Sequence, residues 1–319
     1  MATTLLLQPT LFSTALVVVN IVFPVLSTSA VILRFYARKG AGRYMFFADD
    51  WLIVATLVFC WANTVNTLVG AGQIGVETAK VDPGTQAKVT ARTLWTEGFL
   101  LATALALAKI AVLYFYYRIF ATKCANTFKF SVWSMYAILI GWWISSVVCQ
   151  LLVADPINGA YDPTIPFNYR YDYSTWSVCF AAMSLAFDVI ILLFPVPVIG
   201  KLRMDFRRKI SVIGIFWLGA FCCVAAAVRL YFLYIGIYKV TSSTSENPYE
   251  NVTAGFIWAH VEPNCSIIAA CLPTYGTLFH SGRSLSSLFG SVRSIFSISG
   301  RSGTNSTGLA SIVLEVQRV

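Results

Sequence analysis

Charge is what this sequence has least of. Only 12% of its 319 residues are Asp, Glu, Lys or Arg, whereas roughly 25% is usual in a soluble domain. With 57% of the residues hydrophobic and a mean hydropathy of +0.71, a water-soluble fold is excluded and an integral membrane protein is expected. Alternation of apolar and polar residues at period two is also missing. That excludes a transmembrane barrel and leaves helices, the other structure that satisfies its own backbone in lipid. Histidine is scarce: only His260 and His280 occur, about 30 Å apart along one helix at 1.5 Å per residue. A zinc site of clustered imidazoles is therefore excluded. The stretch GFIWAHVEPNCSIIAACLPTYGTLF, residues 255–279, holds no lysine, so a retinal Schiff base on the last apolar segment is excluded too. No glycine-rich phosphate loop or nucleophile elbow occurs, and no metal or other cofactor is expected.

A spanning helix needs roughly 20 mostly apolar residues to cross about 30 Å of hydrocarbon. Seven segments meet that need, near residues 11–33, 47–70, 94–117, 130–153, 174–199, 211–237 and 255–279. The expected fold is all-α, a seven-transmembrane helix bundle over residues 11–280, with a short segment 1–10 before it and a Ser- and Arg-rich tail 281–319 after it. The first segment has no basic residues ahead of it and is longer than a signal-peptide core, so it is expected to be retained. Cations set the orientation. Sixteen Lys and Arg residues fall on one side of this arrangement, in stretches 34–43, 118–129 and 201–209 and in the tail, against five on the other. The N-terminus is expected outside and the tail in the cytoplasm. The formal charge of +9 then reads as contact with lipid headgroups, not nucleic acid.

Chemistry in such a protein has to come from polar groups within the helices. Each charge there costs at least a few kcal/mol and faces the bundle interior or water. Lys109 in AKIAVLYFYYRIF and Asp188 in LAFDVIILLFPVPV lie deep in the third and fifth segments. They can pair across the bundle, either as an ion pair that fixes helix register or as part of a charged path. Nearer the outer side, Arg229 and Glu262 lie at matching depths. They either pair or flank a ligand pocket with Trp258 and Asn264, joined by Glu97 from the top of the third helix. Pro263 and Pro273 mark where the last helix can bend.

On the cytoplasmic side, RFYARKGAGRYMFFADDW sets Arg34 and Arg38 before Asp49 and Asp50. Capping of the second helix accounts for one aspartate. Two in a row beside a basic loop predict an ionic cluster with Arg34, Arg38 and Arg118 that ties three helix ends together. Asn251-Val252-Thr253 is a glycosylation sequon expected on the outer loop before the seventh helix. Cys149 and Cys179 fall near the outer ends of segments four and five, as a disulfide or as two separate thiols.

Several of these stretches also carry a likeness. LRFYAR with ADDWLIVAT, then AKIAVLYFYYRIF, then FDVIILLFPVPVIGKLR followed by RRKI, and lastly WAHVEPNCSIIAACLPTYGTLF resemble, in this order and spacing, the fungal rhodopsin-domain family. That family includes receptor-like proteins of the Pth-eleven type and membrane proteins of the satratoxin-cluster type. The resemblance covers about residues 20–282 and implies that Asp49, Asp50, Lys109, Asp188, Pro195, Glu262 and Pro273 occupy the family's signature positions. Members commonly carry a loop cysteine after helix four in a Cys-x-Pro pattern; here the matching stretch is Ala154-Asp155-Pro156, so that disulfide is not expected. The function expected is receptor-like, in the plasma membrane of a filamentous fungus. A small ligand would sit between the outer ends of helices three, six and seven and be read out by a cytoplasmic signalling protein. A transporter using Lys109 and Asp188, and a biosynthetic membrane enzyme with Glu262 and Asp188 as acids, are the alternatives.

Overall fold

The computed structural model describes residues 9–40, 47–120, 126–194, 206–238 and 250–280. Among them are seven long helices: α1 (Thr14–Gly40), α2 (Ala48–Ile74), α3 (Pro83–Phe120), α4 (Asn126–Leu151), α5 (Tyr173–Leu193), α6 (Phe206–Tyr238) and α7 (Glu250–His280). Between α4 and α5, β1 (Ala154–Asp155) pairs antiparallel with β2 (Asn168–Tyr169) around a short 3-10 turn, Ile157–Ala160. The expected tail 281–319, most of the expected segment 1–10, and Arg43 and Pro195 lie outside the described residues.

Six helices, α1 to α6, contain a stretch long and apolar enough to cross a membrane. Their exposed faces carry large apolar side chains, among them Val25 and Ile32 on α1, Trp51 on α2, Trp133 on α4 and Trp217 on α6. That is the pattern of helices solvated by lipid. α7 has the length, at 31 residues, but His260, Glu262 and Asn264 interrupt its apolar run, and residues 259–265 are all buried. Its polarity follows from its position, because a helix surrounded by protein on all sides need not match lipid.

α3 and α1 run furthest beyond what hydropathy alone indicates. α3 starts at Pro83 and not near residue 94 because Asp82 caps it, accepting the Thr85 amide at 2.9 Å and the Thr85 hydroxyl at 2.8 Å. Proline fits the first turn, where its missing N–H has no partner to lose. α1 continues past residue 33 to Gly40 because Arg34 and Arg38, four residues apart, share one face, and that face meets Asp49 and Asp50.

The helices alternate in direction. The end of α1, the start of α2 and the end of α3 meet at Arg34, Asp49 and Arg118, hereafter the basic end. At the far end the Thr14 amide donates to Glu77 at 2.7 Å, and the Thr253 hydroxyl donates to the Leu11 carbonyl at 2.8 Å. α2 lies along α3, α3 also meets α4 and α5, and α5 lies along α6. The α2–α3 seam is close: a Cβ added at Gly70 would sit 2.6 Å from both Phe12 Cζ and Thr93 Oγ1. Cys149 and Cys179 are both free thiols, so separate cysteines, not a bridge, occupy the α4–α5 end.

Candidate functional site

α7 presents polar side chains in two directions because residues two apart on a helix differ by about 200°. On one side Glu262, 1% exposed, accepts from Arg229 Nε at 2.7 Å through Oε2, and from the Ser184 hydroxyl at 3.2 Å through Oε1. Lys109 Nζ lies 3.9 Å from the same Oε1 and donates directly to Asp188 Oδ1. Four charges from α3, α5, α6 and α7 thus form one network of two cations and two carboxylates. The sequence reading treated Lys109–Asp188 and Arg229–Glu262 as two sites at different depths. Long aliphatic stems let Lys and Arg carry their charges well away from their own Cα atoms, which is how the two pairs merge.

On the opposite side of α7 is a second polar group. His260 Nε2 lies 3.4 Å from Glu97 Oε1, its Nδ1 lies 3.2 Å from Asn63 Nδ2, and Thr67 Oγ1 lies 3.4 Å from Nε2. Glu97 therefore faces away from Glu262 and does not join it. Asn264 faces α1, accepting from the Ser27 hydroxyl at 2.8 Å, and donates to the His260 carbonyl at 2.8 Å. Trp258 packs on an apolar cluster with Cys222, Val261 and Cys265. Of the five side chains expected to line one outer pocket, only Arg229 and Glu262 touch; the helical twist of α7 turns Trp258 and Asn264 to other neighbours, and Glu97 of α3 meets His260. His260 and Ser184 were not picked from the sequence. His260 had a signal in its spacing, two residues before Glu262 and four before Asn264, which marks a helix that is polar on more than one side.

At the basic end Arg34, Arg38, Arg118, Asp49 and Asp50 meet. Arg34 donates to Asp49 at 2.5 Å and to Asp50 at 2.8 Å, and its remaining Nη1 reaches the Ala270 carbonyl of α7 at 2.5 Å. Arg38 contacts both aspartates, Asp49 at 3.0 Å. Arg118 donates to Asp49 at 2.7 Å and places its guanidinium 4.5 Å from the Phe47 ring centroid. Asp50 also accepts the Phe47 amide at 3.1 Å, so one carboxylate both caps α2 and takes part in the ion cluster. Asp49 and Asp50 are fully buried, while the Arg118 side chain is 29% exposed.

Beside Lys109 and Asp188, on the side toward the basic end, lies a cavity of about 50 Å³ bordered also by Tyr116, Leu192, Gly219 and Cys222. It lies away from the far end of the helices, where a pocket was expected. Asn251 belongs to the first turn of α7 and not to a loop, and the sequon's Thr253 is buried with its hydroxyl donated to Leu11. This folded triplet is a poor acceptor for glycosylation, which needs an accessible loop. Among the described residues, no group of three or more His, Cys, Asp or Glu side chains is placed to hold a metal ion.

A family model for the fungal rhodopsin domain matches residues 33–281. Similar proteins include the receptor GIN3 of Arthrobotrys oligospora, 26% identical over 268 residues that make up 81% of this chain and 60% of that protein. Fugralins biosynthesis cluster protein 2 of Gibberella zeae is 28% identical over 181 residues, 55% of this chain and 43% of its own. A SAT4 family membrane protein of Emericella nidulans is 22% identical over 206 residues, 65% of this chain and 49% of its own. The chain thus spans between 43% and 60% of the length of these relatives. No solved structure matches it.

Proposed function

The chain belongs to the fungal rhodopsin domain family, whose model covers residues 33–281, and from that premise we propose that this multi-pass membrane protein is a receptor that senses a small ligand and signals to the cytoplasm. One observation carries the reading. α7 is gripped at Glu262 by α3, α5 and α6, and again at the Ala270 carbonyl by Arg34 of the basic-end cluster. These two grips lie about 12 Å apart along one helix, so a displacement of α7 at the first is felt at the second. Buried ion clusters shift between discrete arrangements and do not deform smoothly, which suits a switch. Pro263 has no N–H to give the Ala259 carbonyl, and it places the weak point of α7 next to Glu262.

In this reading α7 is the seventh crossing, sheltered from lipid by the other six. The excess of cations puts the basic end in the cytoplasm and the N-terminus outside. The signalling partner docks at the basic end, and the plasma membrane is where such a sensor works. The name of the receptor GIN3 favours this proposal. A second reading, a membrane-embedded biosynthetic enzyme or a transporter, is favoured by the name of the fugralins biosynthesis cluster protein and by an ammonium set between one buried and one largely buried carboxylate.

Fungal strains with and without the protein, and with Glu262→Gln or Asp188→Asn, separate these readings by metabolite profiling and cyclic-nucleotide assays. A receptor leaves metabolites unchanged and produces a stimulus-dependent cyclic-nucleotide change that Glu262→Gln abolishes. A precursor that accumulates without the protein and is converted by isolated membranes containing it overturns the proposal in favour of an enzyme.

A further inference from the structure

We infer that Glu97 is a proton-binding site within the membrane: the carboxyl that α3 turns toward α7 holds an exchangeable proton, as the neutral acid, beside a neutral His260. The site is separate from the network around Glu262 and does not depend on the receptor reading.

Charge balance calls for one proton in this pair. Glu97 and His260 are both buried, and His260 is the one ion-pair partner of Glu97 among the described residues. In the neighbouring network Lys109 and Arg229 match Asp188 and Glu262 one for one, so no cation is left over there for Glu97. α2 brings the uncharged Asn63 and Thr67 to His260. α5 brings the Tyr173 hydroxyl, which donates to Gln150 at 3.3 Å, within electrostatic range of Glu97. An ionised Glu97 beside a neutral ring would be an uncompensated buried charge, the state a protein interior tolerates least. One proton removes it in either of two ways. On the carboxyl it leaves two neutral groups; on the ring it leaves an imidazolium paired with a carboxylate.

Hydrogen-bond geometry selects the carboxyl. The Thr67 hydroxyl donates to the Asn63 carbonyl at 3.2 Å. Toward His260 Nε2, 3.4 Å away, it can then only accept, so Nε2 carries a hydrogen. At the other ring nitrogen, Asn63 Nδ2 lies 3.2 Å from Nδ1. An amide nitrogen only donates, so Nδ1 accepts, which an imidazolium cannot do. An imidazolium would need Asn63 Oδ1 in that place, and Oδ1 has no hydrogen-bond partner among the described residues. The separation agrees. Glu97 Oε1 is 3.4 Å from Nε2 and takes no hydrogen bond, whereas a charge-assisted N–H···O bond closes to about 2.7–2.9 Å.

A proton held this way is a ligand of one arrangement of the helices. With α7 in place, His260 covers Glu97 and the carboxyl keeps its proton; with α7 displaced, water reaches the carboxyl and the proton leaves. Acid therefore favours the covered arrangement and alkali the displaced one.

The test uses the full chain in lipid nanodiscs and dicyclohexylcarbodiimide, which takes the proton of a carboxylic acid in apolar surroundings and adds to its oxygen, the adduct then rearranging to a stable N-acylurea. The tryptic peptide of residues 93–109 holds Glu97 as its one carboxyl side chain. Labelling at Glu97 is expected to be at least about 10-fold faster than at Glu262 or Asp188, the ratio that about 1.4 kcal/mol gives, and to slow as pH is raised. His280→Gln leaves His260 as the one histidine, and nitrogen-15 NMR of that variant is expected to show a neutral ring protonated at Nε2. Glu97→Gln, neutral and of the same shape, is expected to melt like the parent. An imidazolium signal at neutral pH, or Glu97→Gln melting well below the parent, overturns the site in favour of a structural ion pair. Absence of labelling at every pH overturns it whatever the ring shows, and labelling that added sodium ions suppress overturns it in favour of a metal cation. If neither variant folds, labelling of the parent decides alone.

Discussion

Lys109 joins three helices through one ammonium, donating to Asp188 of α5 and standing 3.9 Å from Glu262 of α7. Without it Asp188, largely buried, loses its ion-pair partner among the described residues, whereas Glu262 keeps Arg229. Lys109→Met is therefore expected to cost about 3–5 kcal/mol, and Lys109→Met combined with Asp188→Leu to recover most of that loss, because an apolar pair of similar volume replaces a buried ion pair at little cost. Thermal unfolding of the purified variants in detergent checks it. A double variant no more stable than the single one would show that the pair is not an isolated unit.

The two sides of the basic-end cluster should behave differently. Asp49 takes three guanidinium groups and is fully buried, while Arg118 remains 29% exposed. Asp49→Asn is expected to lose about 3–5 kcal/mol, and Arg118→Gln no more than about 1 kcal/mol, the usual worth of a partly solvated pair. Under the proposed receptor reading, Arg118→Gln should raise stimulus-independent signalling in cells, since it loosens α3 from α2 without unfolding either. Equal destabilisation of the two variants in a melting experiment would contradict this ranking.

Close approach at Gly70 gives a packing test. Gly70→Leu has to displace Phe12 and Thr93, and a loss of about 1–3 kcal/mol is expected. Gly72, two residues away on the same helix, has nothing within 4 Å of a built Cβ, so Gly72→Leu should melt like the parent. Equal melting temperatures for the two variants would mean that the α2–α3 seam is looser than described.

A pH dependence is expected in the connection between α4 and α5. The hydrogen bond from Lys88 at 2.5 Å, helped by the Thr164 hydroxyl, holds the Asp162 carboxyl down at about 2. Because this value is below that of the unfolded chain, about 3.9, the contribution to loop order is fully present above pH 4 and is lost as pH falls through 2. The Asp162 carboxyl resonance in NMR should titrate near 2 and move up toward about 4 in Lys88→Ala. No movement would mean that Lys88 is not the partner in solution.

How much of this was legible in the sequence depends on which physical effect speaks locally. Placement was legible for α1 to α6 because apolar run length is a local property, whereas α7 lacks the apolar run of a span; the ends furthest from expectation were those of α3, set by the Asp82 cap, and of α1, set by ion pairing with a different helix. Asp49 and Asp50 were legible as a cluster because two adjacent carboxylates beside a basic loop exceed what capping needs. Glu97, Trp258 and Asn264 were placed with Glu262 on depth alone. Depth says nothing of azimuth, and the structure turns them to α7 His260, an apolar cluster and α1. The cavity was not legible, since it depends on Gly219 and Leu192 meeting across two helices.

Coupling through α7 is the central claim, and distances between spin labels at Lys39→Cys on α1 and Leu193→Cys on α5 test it most directly, with the native cysteines replaced. Both sites are exposed near the basic end. Glu262→Gln takes the carboxylate from Arg229 and leaves the α5–α6 pair free to shift against α1, α2 and α7. A second distance population is expected in that variant and a single one in the parent. The same single distribution in both proteins, with the variant folded, would contradict the coupling and leave the buried charges as structural ties alone.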